Sequence, residues 1–242
     1  MSPLRRLAFA WKRHSLLGFT QLVGKNIAHY SGQLKHLGKP LTSEFDQAHD
    51  TDTETICEVG SLDIASENAI HAVRYQPSPH RLVDEAIRGL DVEYGQFHFL
   101  DFGAGKGRVL LIAAEFPFRA VTGIEFSREL QQTAVTNIAK TPAGRIAAAQ
   151  IECVHDDVTR YELPDSPLVC YFYNPFGRRI MQIVIEHIER SLARHPRDAY
   201  IIYVDPECRR IMDDSTRWQT VREQDTYLIY QHQDDRPPAS CH

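Results

Sequence analysis

The sequence predicts an open, mostly parallel α/β sheet that begins near residue 97. From that point, short apolar runs typical of strands alternate with runs of helical spacing, and this alternation is typical of a parallel sheet covered by helices. The first of these strands leads directly into a glycine-rich turn, DFGAGKG, at residues 101–107. With 242 residues and 43% hydrophobic content, the chain is long enough to bury one sizeable core.

Each element of this pattern has a signal of its own. The strand candidates are rich in β-branched and aromatic residues, and they are FHFLDF (97–102), AVTGIEF (120–126), IECVHDD (151–157), PLVCYFYNP (167–175) and AYIIYVDP (199–206). The helix candidates are RLVDEAIRGL (81–90), RVLLIAAEF (108–116), SRELQQTAVTNIAK (127–140) and IMQIVIEHIERSL (180–192). Ser127 is predicted to cap the third of these helices. Residues 218–232 predict a closing antiparallel hairpin that turns at residues 223–225.

The N-terminal residues are predicted to lie outside this sheet. Up to Pro40 the chain has seven basic residues and no acidic one, and residues 1–55 predict a basic amphipathic helical arm followed by an acidic loop or linker over 42–55. The arm is expected to dock on its own domain or on a second subunit. A membrane-surface contact, a nucleic-acid contact or an organelle transit peptide are the alternatives. The α/β domain is expected over residues 56–232, with a disordered tail over 233–242.

The composition disfavours several classes of protein. The five cysteines have no CxxC spacing and the twelve histidines have no HExxH spacing, which favours reduced thiols and predicts no metal site. No apolar run reaches the length of a membrane span, and the N-terminus lacks the continuous apolar segment of a secretory signal. The sequence therefore predicts a cytoplasmic protein.

The glycine turn offers bare backbone at the carboxyl end of a strand, where α/β sheets bind ligands. A phosphate-binding P-loop would need GxxxxGK followed by Ser or Thr, but Gly107 follows Lys106 here. A dinucleotide fingerprint would need GxGxxG, whereas the third glycine stands one position early in this stretch. In addition, Asp101 would repel a pyrophosphate. Both phosphate ligands are therefore disfavoured.

A cationic nucleoside fits the same stretch better. S-adenosylmethionine carries no phosphate, and a carboxylate at Asp101 suits its ammonium and sulfonium charges. Glu125 ends the second strand, 22 residues after Gly103, and suits the two ribose hydroxyls. Asp157, with Asp156 beside it, ends the third strand and can accept from the adenine amino group. Acids at the ends of three successive strands predict a site for S-adenosylmethionine.

These motifs, together with GIEFS (123–127), HDDV (155–158) and YNPFG (173–177), resemble those of the class I S-adenosylmethionine-dependent methyltransferases. The resemblance covers residues 75–231. It implies a doubly wound, Rossmann-like sheet of seven strands with a reversed terminal hairpin, and S-adenosyl-L-methionine as the cofactor. It also implies the residues that bind this cofactor, which are Asp101, Gly103, Ala104, Gly105, Gly107, Glu125, Phe126, Asp156, Asp157, Val158 and Asn174.

The YNPFG segment predicts where the methyl group is transferred. In the amino-methylating branch of the family this position carries Asn or Asp, two prolines and an aromatic residue; here Phe176 replaces the second proline and Gly177 the aromatic residue. Asn174 and the adjacent carbonyl can accept from a substrate N–H, and Pro175 fixes the turn. A fainter resemblance to the non-SET histone lysine methyltransferases places Tyr75 over the methionine half of the cofactor.

The predicted catalytic residues are therefore Asn174, Pro175, Phe176 and Tyr75, and the predicted activity is N-methylation, on a protein lysine rather than a nucleic-acid base. A protein or small-molecule substrate is favoured because the chain beyond residue 40 is net acidic, which suits a basic partner better than a phosphate backbone. Three alternatives stay open. They are a small-molecule methyltransferase of the same fold, an NAD-dependent oxidoreductase, and a module that binds S-adenosylmethionine without turnover.

Overall fold

The computed structural model describes residues 44–53 and 77–233. The predictions for the basic arm, for Tyr75 and for the tail beyond residue 233 fall outside these ranges. None of the described helices is both long and apolar enough to cross a lipid bilayer.

The described strands are β1 (His98–Phe102), β2 (Ala120–Glu125), β3 (Ile151–His155), β4 (Leu168–Tyr173), β5 (Ala199–Val204), β6 (Trp218–Glu223) and β7 (Tyr227–His232). They form one seven-stranded sheet in the order β3-β2-β1-β4-β5-β7-β6. The first five strands pair in parallel, and β7 is antiparallel to both β5 and β6. The structure thus confirms the predicted sheet and its antiparallel C-terminal hairpin.

The described helices are α1 (Glu44–His49), α2 (His80–Arg88), α3 (Arg108–Ala114), α4 (Arg128–Lys140), α5 (Arg178–Arg194) and α6 (Arg210–Asp213). Short 3-10 turns also form at Tyr94–Gln96 and Ala143–Arg145. The predicted cap of α4 is confirmed, because the N–H of Leu130 donates to the Ser127 hydroxyl at 3.4 Å. The single turn of α6 was not predicted from the sequence.

Apolar side chains cover both faces of the sheet, which explains why the central strands are continuous apolar runs. Phe99 of β1 belongs to a buried cluster with residues of α2, α3 and α4. Its neighbours Leu100 and Phe102 point to the other face and belong to a cluster with α5 and α6. This two-sided burial fixes the ends of the strands as a rigid edge on which a site can be built.

Residues 42–55 were predicted to be a loop or linker, and this prediction is wrong for the described part of the segment. Glu44–His49 forms helix α1, and Phe45, Asp46, His49 and Thr53 are buried. The Asp46 carboxylate accepts from the Thr53 N–H at 3.0 Å and from the Thr53 hydroxyl at 2.6 Å. The polar residues that suggested a solvated linker therefore satisfy one another's hydrogen bonds instead.

Candidate active site

The glycine turn after β1 needs its glycines for backbone conformation. Gly103, Gly105 and Gly107 have φ angles of +89°, +54° and +83°, a region that other residues rarely adopt. The N–H groups of Gly103 and Ala104 donate to the carbonyl of Ile124 at 2.9 and 3.2 Å, so the turn is fastened to β2 as it leaves the sheet. Gly107 then precedes the first turn of α3.

The same glycines also allow close approach within the protein. A Cβ at Gly103 would lie 3.1 Å from the Cβ of Pro175, and a Cβ at Gly107 would lie 3.0 Å from the Cβ of Ala134. Gly123 of β2 is tighter still, since a Cβ there would lie 2.6 Å from the Cβ of Ala104. The glycine turn is therefore in contact with the Asn-Pro-Phe turn on one side and with α4 on another.

Glu125 lies at the end of β2 and is buried, with 2% of its surface exposed. Its two carboxylate oxygens accept from the N–H of Gly105 and from the N–H of Ser127, both at 2.8 Å. Burial raises the pKa of Glu125, and these backbone hydrogen bonds oppose that rise. The carboxylate therefore joins the glycine turn to the start of α4.

Asp101 lies inside β1, also in the buried interior. Burial, with the nearby charge of Glu125, raises the pKa of Asp101 to about 8. A buried carboxyl whose ionised form is this disfavoured gains most from a cation placed beside it. The pair of Asp101 and Glu125 is what the sequence predicted for the ends of the first two strands.

The third strand leads to a less buried group of predicted residues. Asp156 is exposed and Asp157 is half-buried, and one oxygen of Asp157 accepts from the N–H and the hydroxyl of Thr159 at 2.9 and 2.7 Å. Val158 is buried in the core. Phe126 is half-buried, and its carbonyl accepts from His155 at 2.9 Å. Asp157 thus shapes the turn after β3.

Asn174 directly follows β4 and has a left-handed conformation, with a φ of +39°. Strain of this kind in a non-glycine residue is characteristic of functional turns. Pro175 follows in contact with Gly103, and Phe176 is 7% exposed and packs into the core cluster of α5. The structure therefore gives Phe176 a packing contact beneath the turn and leaves Asn174 half-buried above it.

A polar network behind the glycine turn was missed by sequence reasoning. The side-chain amide of Asn137 donates to the carbonyls of Lys106 and Asp52 at 3.0 and 3.1 Å. The Lys106 ammonium, almost fully buried, pairs with the Asp52 carboxylate at 3.1 Å. Asn137 lies in a helix and Asp52 in the segment taken for a linker, so no local pattern joined them to the turn.

The structure therefore brings most of the predicted site residues to the carboxyl ends of strands β1 to β4. Tyr75 lies outside the described residues. Within the described ranges no group of three His, Cys, Asp or Glu side chains is placed to hold a metal ion. Cys153, Cys170 and Cys208 are buried free thiols.

The order of the strands decides the fold. Five parallel strands with a reversed hairpin at one edge are what the sequence resemblance implied, and the observed order reproduces them. The chain has a doubly wound, Rossmann-like sheet of seven strands with a reversed terminal hairpin, which is the fold that the class I resemblance implied. No family model matches the sequence, and no curated protein matches it significantly.

Solved methyltransferase structures are similar to this class I fold at low sequence identity. An RNA methyltransferase from Salinibacter ruber, in complex with S-adenosyl-L-homocysteine, is 19% identical, with 67% of this chain and 97% of that chain covered and a TM-score of 0.46. A magnesium protoporphyrin IX methyltransferase from Synechocystis, with bound S-adenosylmethionine, is 16% identical, covering 64% and 79% at a TM-score of 0.45. A 23S rRNA methyltransferase is 16% identical, covering 66% and 70% at a TM-score of 0.46.

Proposed function

We propose that this protein is an S-adenosylmethionine-dependent methyltransferase that transfers the methyl group to a nitrogen atom, with a protein lysine as the favoured acceptor. The observation that carries the proposal is the contact between the glycine turn and the strained Asn174 turn, made where Gly103 meets Pro175. This contact brings an acceptor of N–H hydrogen bonds next to the turn proposed to bind the cofactor.

The buried carboxyls support S-adenosylmethionine as the cofactor. Burial raises the pKa of Asp101 to about 8, and the ammonium and sulfonium charges of this cofactor would favour the ionised form of such a carboxyl. Glu125, fixed by two backbone N–H groups, would accept from the ribose hydroxyls, and Asp157 from the adenine amino group. When bound, the cofactor supplies a methyl group activated by a positively charged sulfur.

The protein's own residues would mainly position the acceptor. The Asn174 side-chain oxygen would accept an N–H of the amine and aim the nitrogen lone pair along the line of displacement. The nitrogen must be neutral when it attacks. Because the turn is rigid, with Pro175 fixing one side and Phe176 packed beneath it, orientation rather than acid–base chemistry would provide most of the rate enhancement.

The charge of the chain supports a protein acceptor over a nucleic acid. The residues beyond 40 are net acidic, and an acidic surface attracts a lysine-bearing segment. The exposed Arg178 and Arg179 at the start of α5 are the local feature that favours a phosphate-bearing acceptor instead. An RNA, DNA or small-molecule acceptor is therefore the second candidate within the same reaction.

Two measurements test the proposal. Calorimetry with S-adenosylmethionine, S-adenosylhomocysteine and NAD should show binding of both sulfur nucleosides and none of NAD; tighter binding of NAD would favour the oxidoreductase and overturn the proposal. Cofactor carrying a tritiated methyl group is then incubated with lysate separated into protein, nucleic acid and small molecules. Label on protein nitrogen supports the proposal, and label only on oxygen or carbon contradicts it. Binding without label in any fraction would indicate a non-catalytic module.

A further inference from the structure

Two turns that begin with a left-handed residue follow the carboxyl ends of the adjacent strands β4 and β5. β4 and β5 are parallel, and their last residues, Tyr173 and Val204, are in register, so Asn174 and Asp205 each come one residue after this pair, at the ends of adjacent strands. Both have positive φ angles, +39° and +45°, and both precede a proline, Pro175 and Pro206.

Asn and Asp adopt the left-handed conformation more readily than most other residues, so the residue types account for part of this pattern. Among the described residues, the other non-glycine with positive φ is Asp50, which directly follows helix α1, where a left-handed residue is a common ending. A residue before proline is instead pushed toward extended conformations. Two adjacent strands therefore end in the same disfavoured conformation, and strain of this kind concentrates where side chains must be aimed at a ligand.

Asp205 is held in place by its backbone while its side chain faces solvent. Its N–H donates to the Thr226 carbonyl at 2.9 Å, just before β7, and its carbonyl accepts from the Glu207 N–H at 2.8 Å. The residue is exposed. An exposed carboxylate on a fixed backbone is suited to binding rather than to supporting the core.

Tyr173 completes the group. Its half-buried hydroxyl donates a hydrogen bond to the Asp205 carboxylate, and burial together with the Asp205 charge raises the pKa of Tyr173. The phenol therefore stays neutral, and the oxygen of a neutral phenol can accept as well as donate a hydrogen bond. Asn174, Asp205 and Tyr173 all present oxygen acceptors, whereas an alkylammonium group has three N–H donors.

We infer that Asp205, together with Tyr173, forms a subsite beside Asn174 that binds the ammonium group of the methyl acceptor, which places the acceptor in the class of cationic primary amines. This inference rests on the proposed methyltransferase function and specifies its substrate class.

Cations that follow this group in the chain include the exposed Arg178 and Arg179 at the start of α5, after Asn174, and Arg209, after Asp205. The cation that follows Asp205 in the chain, Arg209, is already engaged by Asp213 and Glu223 at 2.7 and 2.9 Å. It is therefore not placed to neutralise Asp205.

In the proposed methyl transfer Asp205 takes up no proton and acts only through its negative charge. The bound ammonium first releases one proton to water. The nitrogen lone pair then forms the bond to the methyl carbon while the electrons of the carbon–sulfur bond move to sulfur. The positive charge thus passes from sulfur to nitrogen, and the Asp205 carboxylate stabilises it there. The products are an N-methylammonium group and S-adenosylhomocysteine.

Binding of simple alkyl compounds tests the subsite. The full-length, nitrogen-15-labelled protein is saturated with S-adenosylhomocysteine and titrated with n-pentylamine, 1-pentanol, pentanoate and inorganic phosphate, while amide shifts are followed by NMR. We expect saturable shifts at residues 173–176 and 205–207 with the ammonium compound alone. Equal binding of the alcohol, preference for pentanoate or phosphate, or no saturable shift would overturn the inference.

Asp205→Asn is the decisive variant, because Asn tolerates the left-handed backbone as well as Asp does and only the charge is lost. We expect about a tenfold or greater loss of pentylammonium affinity, the effect of removing one charge-assisted hydrogen bond. The matched control is Asp165→Asn. Asp165 is an exposed acid that precedes the amino end of β4, and its replacement should leave the affinity for pentylammonium unchanged. Unchanged affinity in Asp205→Asn contradicts the inference.

If Asp205→Asn does not fold, Tyr173→Phe removes the hydroxyl contact and should weaken pentylammonium binding severalfold, whereas unchanged affinity would contradict the inference. Calorimetry with S-adenosylhomocysteine distinguishes failure of the proposed function from failure of the ammonium subsite. Failure of that ligand to bind would overturn the proposed function and the subsite with it. Normal binding of that ligand without preference for the ammonium compound would overturn the subsite alone.

Discussion

The carboxylate of Glu125 accepts a hydrogen bond from the backbone N–H of Gly105 at 2.8 Å. Twenty residues apart in the chain, the end of β2 and the middle of the glycine turn are thereby joined. With its second bond to the Ser127 N–H, Glu125 holds the shape of the proposed cofactor site, in which it would also accept from the ribose hydroxyls. Structural and binding contributions of this residue are therefore coupled.

Replacing Glu125 by Ala should lower both stability and cofactor affinity. The N–H groups of Gly105 and Ser127 would lose their acceptor, at a cost of roughly 1–3 kcal/mol for each group left unsatisfied. Urea unfolding and calorimetry with S-adenosylmethionine measure the two effects. Glu129→Ala, at an exposed position in the first turn of α4, serves as the control and should change stability by only a few tenths of a kcal/mol. Normal stability in Glu125→Ala would contradict the role given to this residue.

Replacing Gly103 by Ala should destabilise the protein by roughly 1–3 kcal/mol, the cost of a non-glycine residue held in such a conformation. The new Cβ would also press on Pro175 at 3.1 Å and displace the Asn174 turn, so affinity for S-adenosylmethionine should fall. Gly144→Ala is the control, since a Cβ there meets nothing within 4 Å. Equal melting temperatures for the two variants would show that the turn is not held as described.

Asp101 should make stability fall as pH rises. Its pKa is raised to about 8 in the folded protein, whereas an unfolded Asp titrates near 4. The folded state therefore binds more protons between these values, and stability declines from about pH 4 to about pH 8 and then levels off. Asp101→Asn removes this dependence. Urea unfolding of both proteins at pH 5, 7 and 9 measures the difference, which should grow with pH in favour of the variant; a constant difference would contradict the prediction.

The same carboxyl should couple cofactor binding to proton release. A cation beside Asp101 favours its ionised form, so binding of S-adenosylmethionine should expel a proton below about pH 8 and affinity should rise with pH up to that value. Calorimetry in buffers of different ionisation enthalpy counts the released protons. The Asp101→Asn protein should bind more weakly and release fewer protons. Equal proton release from both proteins would exclude Asp101 as the group responsible.

Asn174 should contribute to turnover more than to cofactor affinity. Asn174→Gly keeps the positive φ while removing the amide, and we expect turnover to fall by roughly 2–4 kcal/mol of transition-state stabilisation. Asn174→Asp retains an oxygen acceptor and should lose less. Initial rates with the labelled acceptor fraction, alongside calorimetry, give the comparison. Unchanged turnover in Asn174→Gly would remove the basis for an acceptor site at this turn.

Truncation should separate the basic arm from the segment that follows it. Residues 42–242 form one compact unit, and we expect deletion of residues 1–41 to leave a folded protein that binds the cofactor. Deletion of residues 1–53 also removes the buried Phe45 and the Asp52–Lys106 pair. It should therefore lower the free energy of unfolding by a further 2–5 kcal/mol, roughly. Urea unfolding of both truncations is the test. Equal stability would show that residues 44–53 contribute nothing to the core.

The sequence by itself determined the α/β alternation, the approximate extent of the strands and the turns at which the proposed site lies, although β4 and β5 each end two residues earlier than predicted. These features depend on local patterns. Buried parallel strands are continuous apolar runs, α4 is capped by the residue immediately before it, and the positive φ angles after β1 require glycine. The position of Glu125 followed from the same logic, because the carboxyl ends of parallel strands share one edge.

Only the tertiary structure decided which of these residues touch. The acidic stretch over 44–53 contained no apolar period, yet its polar groups find partners in Lys106, Arg108 and Asn137, so it packs where the sequence suggested solvent. The placement of Asn174 and Asp205 at the ends of adjacent strands likewise depends on the register between β4 and β5. Such contacts join residues far apart in the chain, and their energy comes from hydrogen bonds and charges completed only when the sheet has formed. No local sequence pattern predicts these long-range contacts.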